Sequence, residues 1–233
     1  WLSHWILCEQ VRAAGFDVLF GGLGGDELNA GEYEYFIPFF ADLDEATRRR
    51  EIERWAELHD HPIYRKSPAT AEESLARLVD RSRPGVCRPD LRRLRRYADA
   101  LERDFFDLDA FEPVMEHPFR SYLKNRTWQD LTRETMPCCL RAQDRNGAAF
   151  GIRHETPFLD HRLAEFTYRV PATLKIRDGV TKILLREAMR EVLPEETRTR
   201  VKKTGWNAPA HLWFSGPGRT NVEDLVRSRS FRE

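Results

Sequence analysis

The chain has 233 residues, and its 38 basic and 38 acidic side chains cancel to a formal net charge of zero. That balance gives no global attraction to nucleic acid or anionic membrane, and no apolar run approaches the ~20 residues that cross a bilayer. The length allows one large domain or two small ones. The four cysteines (Cys8, Cys87, Cys138, Cys139) show no CxxC spacing, which argues against a zinc site or disulfide framework and fits a reduced, cytoplasmic setting.

In chain order, residues 1–14 carry apolar side chains at helical spacing and predict a helix ending at Gly15. It begins without a leader, so a fragment of a longer protein is the expectation. Phe16 to Phe20 reads as a strand, with Val18-Leu19-Phe20 as its apolar run. Four glycines then fall within five residues (Gly21, Gly22, Gly24, Gly25), followed by Asp26 and Glu27, where the chain turns helical. Tyr33, Tyr35, Phe36, Phe39 and Phe40 form an aromatic cluster of core type. Leu43 to His59 is a charged helix, broken at Asp60-His61-Pro62. Ser67-Pro68 is an N-cap and first-turn pair that starts a helix to Asp80, and residues 81–89 are turn-rich. Residues 89–109 read as a further charged helix. Its Arg92, Arg93, Arg95 and Arg96 suit a wet face better than a phosphate site. Residues 121–139 read as an amphipathic helix, and 160–169 as a short one that Asp160 can cap. Residues 180–193 read as an amphipathic helix stopped by Pro194. Residues 204–206 start a loop, and 209–214 make a last turn. With one strand legible, its partners are expected from outside the chain.

Strand, glycine turn, acid and helix in that order is how α/β proteins build phosphate and magnesium sites at the carboxyl end of a strand. Mg²⁺ takes hard oxygen ligands, typically one or two carboxylates plus substrate phosphates. The competing reading is a plain strand-to-helix connection with Glu27 as a solvated first-turn acid. No Lys-Ser or Lys-Thr follows the last glycine, so this is not the P-loop pattern. Only six lysines occur in the chain, and four of them (Lys175, Lys182, Lys202, Lys203) fall in one window.

Three segments together resemble the synthetase domain of the asparagine synthetase family. They are VLFGGLGGDELNAGEYEYF, LRAQDRNGAAFGIRHETPFLDHRLAEF and the stretch from VPATLKIRDGVTK to RVKKTGWNAP. They stand in family order and cover most of the chain. The resemblance implies an α/β domain of the adenine-nucleotide α-hydrolase-like, PP-loop type. Residues 1–233 would be one mainly helical synthetase-like fragment with a parallel sheet. It implies an ATP- and Mg²⁺-dependent ligase that adenylates a small-molecule carboxylate and passes it to an amine or to glutamine-derived ammonia. On this resemblance Gly22, Gly24, Gly25 and Asp26 hold the nucleotide and Asp26 and Glu27 face the metal. Lys182 and Lys203 stabilise the phosphates and the acyl-transfer intermediate, as compact point charges suit.

The departures are specific. The family's Ser-Gly-Gly-x-Asp-Ser-Ser loop is absent, as is the glutaminase domain, so a longer chain, a dimer or a second chain is expected to supply the nucleotide loop. Leu23 stands where asparagine synthetases carry glutamate and β-lactam synthetases carry tyrosine, and leucine transfers no proton. This leans toward amide, β-lactam or macrolactam formation in secondary metabolism. Arg153-His154-Glu155 reverses the family's Glu-x-Arg, which reads as a preserved salt bridge. Ala148 replaces a methionine. Arg141, Asp144 and Arg145 suit ion pairing beneath the site as well as ligand contact. The competitors are a non-catalytic binding domain that keeps the fold and a nucleic-acid-binding use of residues 81–103. Interleaved acids and the absence of a stacking platform disfavour the second.

Overall fold

The computed structural model describes residues 1–58, 66–92, 107, 110, 113–202, 209–216 and 218–228. It divides into two units, Trp1–Val201 and Lys202–Glu233. The first unit opens with α1 (Leu2–Ala13), β1 (Val18–Phe20) and the five-residue α2 (Gly25–Asn29). Then come α3 (Phe36–Asp42), α4 (Glu45–Leu58) and α5 (Pro68–Leu78). They are followed by α6 (Tyr122–Thr132), α7 (Thr135–Ala149), β2 (Arg153–Glu155) and α8 (His161–Arg169). A two-stranded hairpin, β3 (Ile176–Arg177) and β4 (Val180–Thr181), leads into α9 (Ile183–Ala188) and α10 (Glu195–Thr199). The second unit holds α11 (Ala210–Ser215) and α12 (Arg219–Arg227).

The architecture is mainly helical with a small parallel sheet, the α/β class expected. The partner of β1 lies within the chain after all. β2 runs parallel to β1 with Leu19 opposite His154 and Phe20 opposite Glu155. Arg-His-Glu is too polar to read as a strand, because its identity comes from pairing rather than from alternation. Around this sheet Trp1, Leu2, Trp5, Ile6, Phe16 and Phe20 are exposed.

The core sits on α3. Tyr35, Phe36, Phe39 and Phe40 are buried as expected and pack with Trp55 of α4 and with Ala71 and Leu75 of α5. Each such ring contributes roughly 2–3 kcal/mol of apolar burial. Caps anchor the helices around it. The Ser67 hydroxyl accepts from the Thr70 N–H at 3.2 Å with Pro68 in the first turn. At the start of α6, Asp42 of α3 accepts from the Tyr122 and Leu123 N–H groups at 2.7 and 3.1 Å.

Two boundaries differ from the expected ones. The expected 121–139 helix is two helices, α6 and α7. Pro137 has no N–H for the Arg133 carbonyl, so the helix restarts just before it. The expected 180–193 helix is preceded by the β3–β4 hairpin and is shorter. Asp178 (φ +52°) and Gly179 (φ +72°) take the left-handed turn that joins paired strands. Most of the expected 89–109 helix lies outside the described residues. Among the described residues no helix is long and apolar enough to cross a membrane.

Candidate functional site

The glycine stretch follows β1 and lies on the turn after β2. The Gly21 N–H donates to the Glu155 carbonyl at 2.8 Å, extending the ladder by one bond. Gly24 has φ +88°, and a Cβ there would overlap the Leu159 side chain; a Cβ on Gly25 would stand 3.3 Å from the Phe158 ring. Gly24 and Gly25 are therefore glycines because the loop packs directly on Phe158 and Leu159. Gly22 differs: it is exposed, and a Cβ there would meet nothing within 4 Å. It is the exposed glycine of the loop, with its carbonyl accepting from the Gly25 N–H at 3.2 Å.

Asp26 lies in the first turn of α2, and its carboxylate Oδ1 lies 2.5 Å from the Lys182 Nζ. Two of the motif segments thus converge on one ion pair. Both side chains stay partly accessible, 26% for Asp26 and 32% for Lys182. Gly31 sits against the pair: a Cβ there would overlap Asp26 Oδ1 and Lys182 Cε. Lys182 takes a left-handed backbone, φ 60° and ψ 32°, as the N-cap of α9. That conformation costs a non-glycine residue about 1–2 kcal/mol. The hairpin imposes it, since β4 ends at Thr181 and α9 starts at Ile183. The hairpin is held in turn by Glu51 of α4, whose carboxylate accepts from the Asp178 and Gly179 N–H groups at 2.8 and 3.0 Å.

Below the pair lies a buried polar layer. Glu27 is 4% exposed, and burial, with Asp26, Asp130 and Glu32 nearby, raises its carboxyl above the ordinary value. Asp130 accepts from the Tyr35 hydroxyl at 2.9 Å, from Arg126 at 2.6 Å and from the Thr135 hydroxyl at 2.8 Å. Arg126 also pairs with Glu134 at 2.7 Å. The Arg126 guanidinium compensates the buried acids, because an unpaired charge at that depth is costly.

Three groups with a bearing on the site were not legible in the sequence. The Arg186 guanidinium donates to the backbone carbonyls of Thr181, Arg198 and Arg200, at 2.8, 2.5 and 2.9 Å. It ties the start of α9, at Lys182, to the C-terminal end of α10. Lys175 is 1% exposed, its Nζ has no hydrogen-bond partner among the described residues, and it lies 5.0 Å from the Tyr168 ring centroid. Burial, with the charge of Lys124 adding to it, lowers the Lys175 ammonium to about 8. The Tyr35–Asp130 bond is the third.

Of the expected residues, Gly22, Gly24, Gly25, Asp26, Glu27 and Lys182 come together here. Lys203 lies outside the described residues. Leu23 is half-buried in the glycine loop. Arg153 and Glu155 form the expected salt bridge, at 3.1 Å, on an exposed surface. Asp160 caps α8, accepting from the Arg162 N–H at 2.9 Å. Arg141, Asp144 and Arg145 are exposed on α7.

The asparagine synthase family model matches residues 1–233. The chain belongs to the asparagine synthase family. Among curated proteins it is 30% identical over 133 residues to asparagine synthetase [glutamine-hydrolyzing] 1 of Bacillus subtilis, covering 56% of this chain and 19% of that protein. It is 39% identical over 82 residues to the asparagine synthetase of Gallus gallus, covering 33% of this chain and 14% of the relative. It is 23% identical over 244 residues to amidase chyE of Penicillium rubens, covering 94% of this chain and 36% of the relative. The chain therefore spans about a third or less of the length of these relatives. No solved structure matches it.

Proposed function

We propose that this chain is the pyrophosphate-facing part of an ATP-dependent, amide-forming ligase. The supporting observation is the meeting of Asp26 and Lys182, an acid after a glycine loop and a lysine from a distant motif, at a partly open ion pair. In this reading ATP and a carboxylate give an acyl-adenylate and pyrophosphate, and an amine or ammonia then displaces AMP to leave the amide. Asp26, the more accessible of the two acids, would hold Mg²⁺. Glu27 supports it from beneath through its field. Lys182 and Lys203 balance the charge that develops on the leaving pyrophosphate. Gly22 offers the exposed face of the loop. A bound Mg²⁺ would supply charge neutralisation of the phosphates. The Asp26–Lys182 pair would open as those phosphates take up the lysine.

Leu23 cannot move a proton, so the amine's proton is taken elsewhere, and this favours a substrate other than aspartate. A β-lactam- or macrolactam-forming synthetase of secondary metabolism is the specific alternative. The exposed apolar side chains around β1 and on α1 support a site completed by further polypeptide carrying the nucleotide loop. A binding module that keeps the fold is the competing class, and it is favoured only by the mutual neutralisation of Asp26 and Lys182.

The test is carboxylate-dependent exchange of labelled pyrophosphate into ATP by the intact protein, with mass spectrometry of products from candidate acids and amines. Exchange with one acid class and formation of its amide would support the ligase. Nucleotide binding without exchange for any acid would favour the binding module.

A further inference from the structure

A second constellation joins α1 to β2 through His4, Cys8 and His154. His4 and Cys8 stand four residues apart on α1, a spacing that puts both on one helix face. His154 is the middle residue of β2, opposite Leu19 of β1. Cys8 is fully buried, and its Sγ lies 3.7 Å from His154 Nε2, 3.9 Å from His4 Nδ1 and 4.0 Å from His4 Nε2. One ligand atom from each residue lies within 4.8 Å of the others. The imidazoles are tilted at 33° with centroids 5.0 Å apart.

These separations are long for hydrogen bonds but close to the sulfur–nitrogen edges of a tetrahedral metal site. A tetrahedral ion with Zn–S near 2.3 Å and Zn–N near 2.0–2.1 Å holds sulfur and nitrogen about 3.6 Å apart. The His154 arm is within about 0.1 Å of that edge, and the His4 arm within about 0.4 Å.

The surroundings keep the rings in place. A Cβ on Gly147 would stand 2.6 Å from His154 Cδ2 and 2.8 Å from its Nε2, so only glycine on α7 leaves room for this ring. Asn146, its neighbour, places its side-chain amide 3.1 Å from His4 Nδ1. With a metal on His4 Nε2, the Nδ1–H would face that amide, which would accept through its oxygen in the flipped orientation. Such an outer partner fixes the tautomer of a ligating histidine.

We propose that His4, Cys8 and His154 form a site for a thiophilic divalent transition metal, with zinc the best fit, that ties α1 to the parallel sheet beneath the glycine loop. One thiolate and two imidazoles discriminate against Mg²⁺, so the site is chemically separate from the nucleotide site. A water would complete the fourth position, and the exposed Asp144 on α7 adds negative charge near His154. Binding forms one sulfur–metal and two nitrogen–metal bonds and releases the Cys8 thiol proton to solvent. No change of oxidation state is involved. Spacing gave no sign of it, because 146 residues separate Cys8 from His154.

The intact protein, stripped with a chelator, is titrated with Co²⁺ and then with Zn²⁺ as competitor. The expected result is a one-equivalent thiolate-to-cobalt charge-transfer band with tetrahedral visible bands, displaced by Zn²⁺ and untouched by excess Mg²⁺. Cys8→Ser and His154→Gln should weaken binding at least about tenfold, whereas Cys138→Ser should leave it unchanged. Zn²⁺ should also raise the melting temperature of the wild type and not of Cys8→Ser. Should Cys8→Ser or His154→Gln fail to fold, His4→Gln, at a partly exposed position, is read in the same way. Absence of a saturable band in the wild type, or its survival in His4→Gln and Cys8→Ser, overturns the proposal.

Discussion

The Asp26–Lys182 pair can be measured by a double-mutant cycle with Asp26→Asn, Lys182→Met and the combined variant. At an effective dielectric near 20, charge centres about 4 Å apart attract by roughly 4 kcal/mol before desolvation is subtracted. Fully exposed pairs retain about 0.2–1 kcal/mol. With side chains 26% and 32% exposed, this pair lies between those limits, so a coupling of about 1–2 kcal/mol is expected. The left-handed backbone at 182 burdens lysine and methionine alike, so its cost cancels within the cycle. Lys182→Gly separates the two effects: it should regain about 1 kcal/mol of backbone strain while still losing the ion pair. The assay is urea unfolding of the four proteins at low and high salt, followed by Mg²⁺-pyrophosphate binding to each. Coupling should shrink as salt screens the pair. Strictly additive single-variant effects, with coupling below about 0.3 kcal/mol at low salt, would refute the convergence of the two segments.

Three further outcomes follow from the same geometry. Gly31→Ala drives a methyl into the ion pair; it should cost about 1–3 kcal/mol of stability and weaken Mg²⁺-pyrophosphate binding, measured by unfolding and calorimetry. Arg186→Met leaves three carbonyls without their donor, so it should cost about 2–3 kcal/mol and speed amide hydrogen exchange across residues 195–202. Lys175 carries a folded-state value near 8 against 10.5 for the free side chain. The unfolded chain therefore binds more protons between those pH values, so stability rises with pH across that window and the full penalty applies below it. Lys175→Met should stabilise the protein by up to about 3 kcal/mol at pH 7 and flatten the rise between pH 8 and 10.5; an unchanged pH profile would count against the buried ammonium.

The sequence was most legible where one short-range signal acts alone. Ser67-Pro68 and Asp160 are caps that need only their own turn, and the aromatic run of α3 can be satisfied only by burial. It was least legible where long-range pairing decides. Arg153-His154-Glu155 becomes a strand because Asp17 to Phe20 lies beside it. Asp178-Gly179 is a strong hairpin signal, but the apolar periodicity of residues 183–193 invites a helix to be drawn through it. At the site, the motif residues were visible as types in order. Their support was not: Gly31, Arg186 and the Tyr35–Asp130–Arg126 layer act through contacts that no local spacing encodes. The loop glycines also divide by role, with Gly24 and Gly25 serving packing and Gly22 remaining open.

The most direct measurement is calorimetric titration of Mg²⁺-pyrophosphate into the intact protein and its Asp26→Asn form. If Asp26 holds the ion on the phosphates, the wild type should bind only with Mg²⁺ present, and Asp26→Asn should lose at least about tenfold in affinity, roughly 1.4 kcal/mol. Equal affinity for the two proteins, or binding of the wild type indifferent to Mg²⁺, would contradict the assignment of this acid to the polyphosphate site.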